Sequence, residues 1–121
     1  MPKTRVLIAY RPGMMRELLN ELIKQDADLE FAGHIERTEE IAEAVKRSSA
    51  DCLIISNETL LQQPGLCEEL LPRHLQLSIL ALSPESNSGT LYRNPAQGPS
   101  GPIECSEQGI LHALRVVALS S

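Results

Sequence analysis

The segment Asp51-Cys52-Leu53-Ile54-Ile55-Ser56-Asn57 constrains the fold more than any other stretch of the chain. Its apolar residues run without a break from Cys52 to Ile55, and Ile54 and Ile55 are β-branched. A run that short, apolar at every position, reads as a strand buried on both faces, as in a parallel sheet covered by helices. In such a sheet, chemistry collects where the strands end and their loops begin. Residues 56 and 57 stand at that end, and they are Ser and Asn, without charge.

The flanking pattern repeats the theme. Arg5-Val6-Leu7-Ile8-Ala9 reads as a buried first strand. Pro12 suits the first turn of a helix, where its missing N–H would have had no partner. Met15, Leu18, Leu19, Leu22 and Ile23 then recur at helical spacing, up to Asp26-Ala27-Asp28. Leu29 to Ile35 reads as a second strand. Thr38 is the expected cap of a second helix carrying Ile41, Ala44 and Val45, with Glu39 and Glu40 in its first turn and Lys46 and Arg47 in its last. Pro64-Gly65 opens a short helix, Leu66 to Leu71, stopped by Pro72. Leu77 to Leu82 is a fourth strand and Pro102-Ile103-Glu104 a brief fifth. Ser106 is the expected cap of a last helix with Ile110, Leu111, Leu114, Val117 and Ala118 as its apolar stripe. Between them, Ser83 to Gly101 is rich in Pro, Gly and Ser and lacks periodicity, so it reads as a long structureless loop, uncommon inside a compact domain. Alternating strands and helices with right-handed crossovers give an α/β three-layer sandwich with a five-stranded parallel sheet. The 121 residues make one domain, 1–121, with no internal repeat.

Composition narrows the partners. Phe31, Tyr10 and Tyr92 are the whole aromatic complement, so the stacking platforms of single-strand binders are missing. A net charge of −5 argues against direct nucleic-acid contact, which needs clustered Lys and Arg. Cys52, Cys67 and Cys105 are odd in number and lack metal-ligand spacing, as expected of free thiols in a reducing cytosol. No stretch approaches the ~20 apolar residues of a membrane span, and none looks like a signal peptide. The expectation is a soluble, cytoplasmic protein with no metal and no cofactor.

The residues Arg5 to Ala9, Met15-Arg16-Glu17, Leu22, Gln25-Asp26, Asp28-Leu29-Glu30, Gly33, Glu36, Glu39-Glu40 and Asp51 fall in one ungapped pattern, which resumes at Leu77–Ser83 and at Ser106-Glu107. This pattern resembles the receiver domain of bacterial two-component response regulators, and is closest to the kind that precedes a helix-turn-helix output domain. The resemblance implies a flavodoxin-like fold with strand order 2-1-3-4-5. It implies phosphoryl transfer from a histidine kinase to an aspartate, with an acidic pair holding Mg²⁺, a hard ion that requires oxygen ligands. Carried over by residue, the acidic pair falls on Tyr10 and Arg11, the acceptor on Ser56, the hydroxyl on Ser83 and the lysine near Glu104. Only the hydroxyl survives. The chain thus resembles the family's fold and not its reaction: a degenerate receiver, or pseudo-receiver. The fourth helix, part of the surface that switches in the family, is replaced by the Ser83–Gly101 stretch.

Several residues carry two readings each. Arg11 facing Ser56 and Glu104 makes a locked polar pair, or Arg11 turns to solvent. Tyr10 and Ser56 line a small-molecule pocket, or neutral residues have simply filled a disused site. Ser56 has no histidine at useful spacing to act as its base, so the chain is not expected to be an enzyme; nor does a glycine-rich phosphate loop follow the first strand. Glu36, Glu39, Glu40 and Glu43 are a solvated face or a docking surface for a basic partner. Leu91-Tyr92-Arg93 anchors a partner, or folds back over the sheet edge. The leading expectation is a phosphorylation-independent signalling module acting by protein–protein contact through the last helix, with His112 and Arg115 on it, the long loop and the last strand, a face through which the family also forms homodimers. The alternative is the receiver-like portion of a transcriptional regulator that senses a small ligand or answers to a partner.

Overall fold

The computed structural model describes residues 3–10, 13–94 and 100–120. The chain forms an α/β domain around one six-stranded mixed sheet, in the order β2-β1-β3-β4-β5-β6. The strands are β1 (Thr4–Ala9), β2 (Leu29–His34), β3 (Cys52–Ser56), β4 (Ser78–Ser83), β5 (Ser88–Arg93) and β6 (Gly101–Glu104). The helices are α1 (Met14–Gln25), α2 (Ile41–Ser48), α3 (Asn57–Gln62), α4 (Leu66–Leu70) and α5 (Glu107–Ser120).

The central run does what its composition dictates. β3 lies between β1 and β4, parallel to both, and Cys52 to Ile55 are fully buried. Alternate residues feed two apolar clusters, one on each face. Val6, Ile8, Cys52, Ile54 and Leu80 point to the face that holds Leu19 of α1 and Ile110 and Leu114 of α5. Leu7, Leu53, Ile55 and Ile79 point to the face that holds Val45 of α2, Leu60 of α3 and Leu70 of α4. Each fully buried Leu or Ile contributes ~1.5–3 kcal/mol, so this aliphatic core fixes the register of the four parallel strands.

The expected fifth parallel strand is a correction. The stretch Ser83–Gly101, expected to be structureless, holds a 3-10 turn at Pro84–Ser86 and then β5, which pairs antiparallel with β4 from Ser88 opposite Ser83 to Arg93 opposite Ser78. β6, where the fifth strand was expected, pairs antiparallel with β5 and not with β4. The sheet is therefore six-stranded and mixed. A tight turn suffices to reverse a strand, whereas a parallel partner needs a long crossover. Asn87 takes the left-handed conformation that closes the turn (φ 51°), a residue type that tolerates it. Asn87-Ser88-Gly89 followed by Thr90-Leu91-Tyr92 is a hairpin signal, masked in the sequence by the surrounding Pro, Gly and Ser.

Three local expectations also change. α3 was not foreseen; it is short and buries only Leu60. Thr38 does not cap α2: a 3-10 turn over Thr38–Glu40 precedes the helix, and the Thr38 hydroxyl donates to the Glu39 carboxylate at 3.5 Å. The second strand stops at His34, and its alternation is broken at Gly33 (φ 147°), where the pairing with β1 skips Ala32. Ser106 caps α5 as expected, its Oγ accepting the Gly109 N–H at 3.0 Å and donating to the Glu104 carboxylate at 3.0 Å. No helix among the described residues is long and apolar enough to cross a membrane.

Candidate functional site

A cleft of about 700 Å³ opens at the C-terminal ends of β1, β3 and β4. Tyr10, which follows β1, Ser56, the last residue of β3, and Ser83, the last of β4, all line it. The structure thus brings together three of the residues singled out in the sequence. Arg11 lies outside the described residues. Glu104 ends β6 and does not line the cleft; its carboxylate is taken by Ser106 instead.

Ser56 has a structural task at this position. Its backbone is extended (φ −74°, ψ 142°), and its Oγ accepts the Thr59 N–H at 3.1 Å. The same hydroxyl donates to Thr59 Oγ1 at 2.7 Å. It is the N-cap of α3, satisfying one of the helix's otherwise unpaired donors. The hydroxyl is therefore engaged both as donor and as acceptor.

Tyr10 is half-buried, and its hydroxyl is fully covered with no hydrogen-bond partner among the described residues. Burial raises its pKa above the ordinary phenol range, and nearby Cys105 and Glu85 push it the same way. A phenol in that setting is held neutral.

The remaining lining was not recognised in the sequence as one site. Glu36 and Glu39 come from the β2–α2 connection, Glu58 from the first turn of α3 and Glu85 from the β4–β5 turn. These four carboxylates come from three separate connections, so no sequence spacing links them. The acidic run splits in space: Glu36 and Glu39 line the cleft, Glu40 lines a shallower groove beside α2, and Glu43 pairs with Arg47 at 3.6 Å. Glu36 is held by Arg16 of α1 at 3.3 Å. Among the described residues, no three His, Cys, Asp or Glu side chains are grouped so as to hold a metal ion.

Leu91-Tyr92-Arg93 does not form an exposed anchor. All three residues belong to β5, which lies along the edge of β4; Leu91 and Arg93 are buried, and Tyr92 packs against the α2–α4 face. Arg93 Nε and Nη2 have no hydrogen-bond partner among the described residues. Its positive charge partly offsets the effect of burial on Cys52, whose thiol pKa is pushed up to about 12 by burial first and Asp51 second. On α5, His112 and Arg115 are exposed, and Arg115 pairs with Asp26 at 3.4 Å.

No protein-family model, no curated protein and no solved structure matches this chain.

Proposed function

We propose that this chain is a pseudo-receiver: a cytoplasmic, bacterial signalling module of the response-regulator type that works by protein–protein contact and does not take part in phosphoryl transfer. The observation that carries the proposal is the end of β3. The position that the resemblance assigns to the phosphoacceptor holds Ser56, and its hydroxyl caps α3. Supporting the resemblance itself, the first four strands run parallel in the order 2-1-3-4, with helices against both faces. The inserted β5 departs from the family pattern. It occupies the place beside β4 that the resemblance gives to the fifth strand, so on this reading sheet stands where the family would have its switching surface. With Leu91 and Arg93 buried, the contact surface reduces to the exposed side of α5 around His112 and Arg115 and to the outer edge of β6, for a signalling partner or a second copy of the chain.

The size of the cleft favours one second reading, in which a small ligand takes the place of phosphate, since ligand pockets span ~300–1,000 Å³. Amide NMR of the purified domain separates the readings. With Mg²⁺ and then beryllofluoride, the signals of Tyr10, Ser56 and Ser83 are expected to stay still. Joint, saturable shifts would return the domain to conventional phosphorelay and overturn the proposal. Saturable shifts of the same residues with a metabolite mixture, and none with beryllofluoride, would establish the ligand-sensing reading.

A further inference from the structure

His34, the last residue of β2, is the centre of a polar chain that reaches the cleft. Arg16 Nη2 stands 2.6 Å from its Nδ1, and Asn20 Oδ1 stands 3.1 Å from its Nε2. A guanidinium can only donate. Nδ1 must therefore be the bare, accepting nitrogen, and Nε2 carries the proton that goes to Asn20. The same guanidinium uses Nη1 to hold the Glu36 carboxylate at 3.3 Å, and Glu36 lines the cleft. One arginine thus ties the end of β2 to the cleft wall, and it does so only while the imidazole is neutral.

We propose that His34 is a pH-sensitive latch on the cleft: neutral, it holds Arg16 and through it fixes Glu36 at the rim; protonated, it expels Arg16 and frees the rim. Protonation puts an N–H at Nδ1, so two donors and two positive charges face each other at hydrogen-bond distance. Arg16 has to leave, and Glu36 loses its fixed partner or turns toward the new imidazolium. The Phe31 ring lies against the imidazole, with centroids 4.5 Å apart, and limits how far the imidazole can retreat.

The charges around the ring set the direction of the response. From α1 comes Arg16, which disfavours protonation; from the β2–α2 connection comes Glu36, which favours it. Asn20 is uncharged. The shallow groove that includes His34 is also lined by Arg5, Glu40 and Arg47, but the charges that act on the ring are Arg16 and Glu36. Burial, the largest influence, and Arg16 outweigh Glu36, so the pKa lies below the ordinary histidine value. The latch is therefore closed at neutral pH and opens only as the medium becomes acidic.

The inference rests on the proposed function only for what the cleft is used for; the latch itself is read on the isolated domain without any partner. The test is an NMR pH titration of the imidazole nitrogens and backbone amides from pH 8 to 5. His34 is expected to be the Nε2–H tautomer at neutral pH, and the amides of Glu36, Arg37 and Thr38 to move with the His34 midpoint. In Arg16→Gln, the like charge is gone, so the His34 midpoint rises and the rim amides stop following it. In His34→Gln, the rim amides lose their movement in this window. Rim amides that stay flat through the His34 titration, or that keep the same movement in His34→Gln, would overturn the latch. A failed latch with no beryllofluoride response leaves the pseudo-receiver proposal standing; a working latch together with a beryllofluoride response sinks that proposal alone.

Discussion

Gly109 sits in the first turn of α5, where replacing glycine by alanine ordinarily strengthens a helix by up to ~1 kcal/mol. Here the opposite result is expected. A Cβ at Gly109 would lie 2.9 Å from the carbonyl carbon of Glu104 and inside contact distance of its oxygen. The helix rides that close to the end of β6 because Ser106 turns the chain and caps α5 within a few residues of the strand. The obstacle is backbone, so no side-chain rotation relieves it. Overpacking of this kind costs ~1–3 kcal/mol, and a rigid carbonyl belongs at the upper end. After the gain in helix propensity, a net loss of ~2 kcal/mol remains for Gly109→Ala. With a urea dependence of ~2 kcal/mol per molar, the unfolding midpoint falls by ~1 M, and the melting temperature by ~8 °C. Gly65→Ala is the control. No atom lies within 4 Å of its would-be Cβ, and its φ is −87°. That substitution is expected to be near neutral, since a gain of ~0.5 kcal/mol through the unfolded chain is offset by alanine's poorer fit to the N-cap position that Gly65 holds before α4. Equal urea midpoints for the two variants would refute the close approach of α5 to β6.

Three further outcomes are expected. Ser56→Ala removes the cap of α3 and lowers stability by ~1 kcal/mol in urea titrations, whereas Ser56→Asp keeps an acceptor at the helix start and costs less; the reverse ranking would deny Ser56 its capping role. Tyr10→Phe deletes a covered hydroxyl without a hydrogen-bond partner among the described residues, so stability stays level or rises by ~1 kcal/mol; because the folded state keeps this phenol proton while the unfolded chain releases it, wild-type stability declines as pH rises beyond ~10, and a decline of equal slope in Tyr10→Phe would contradict the burial of the group. Cys52 is expected to resist a thiol reagent at pH 8 until the whole domain unfolds, so its labelling rate should follow denaturant as global opening does, and rapid native-state labelling would mean that β3 is not central.

Much of this architecture is written in local pattern. The apolar runs at residues 5–9, 52–55 and 77–82 announce buried parallel strands, because a segment without a polar face has to be covered on both sides. Helical spacing announces α1 and α5, and the cap at Ser106 is legible because a serine followed by a charged first turn meets a local need of the helix. The β5 hairpin was legible in principle at Asn87-Ser88-Gly89. It was hidden because Pro, Gly and Ser serve turns and loops alike, and because its pairing with β4 is decided by an edge that does not exist until the sheet forms.

The sequence by itself determined the aliphatic two-faced core and the neutral residues at the strand ends, Ser56 among them, since each is a matter of residue type and short-range period. Only the tertiary structure decided that Tyr10, Ser56 and Ser83 share one cleft, that four glutamates from separate connections ring it, and that Leu91 and Arg93 are buried in a strand and not presented on a loop. It also made Arg16 the bridge between His34, unremarkable in the chain, and Glu36 on the cleft wall. Such juxtapositions join residues far apart in sequence, and they follow from the order of the strands, which no local propensity encodes.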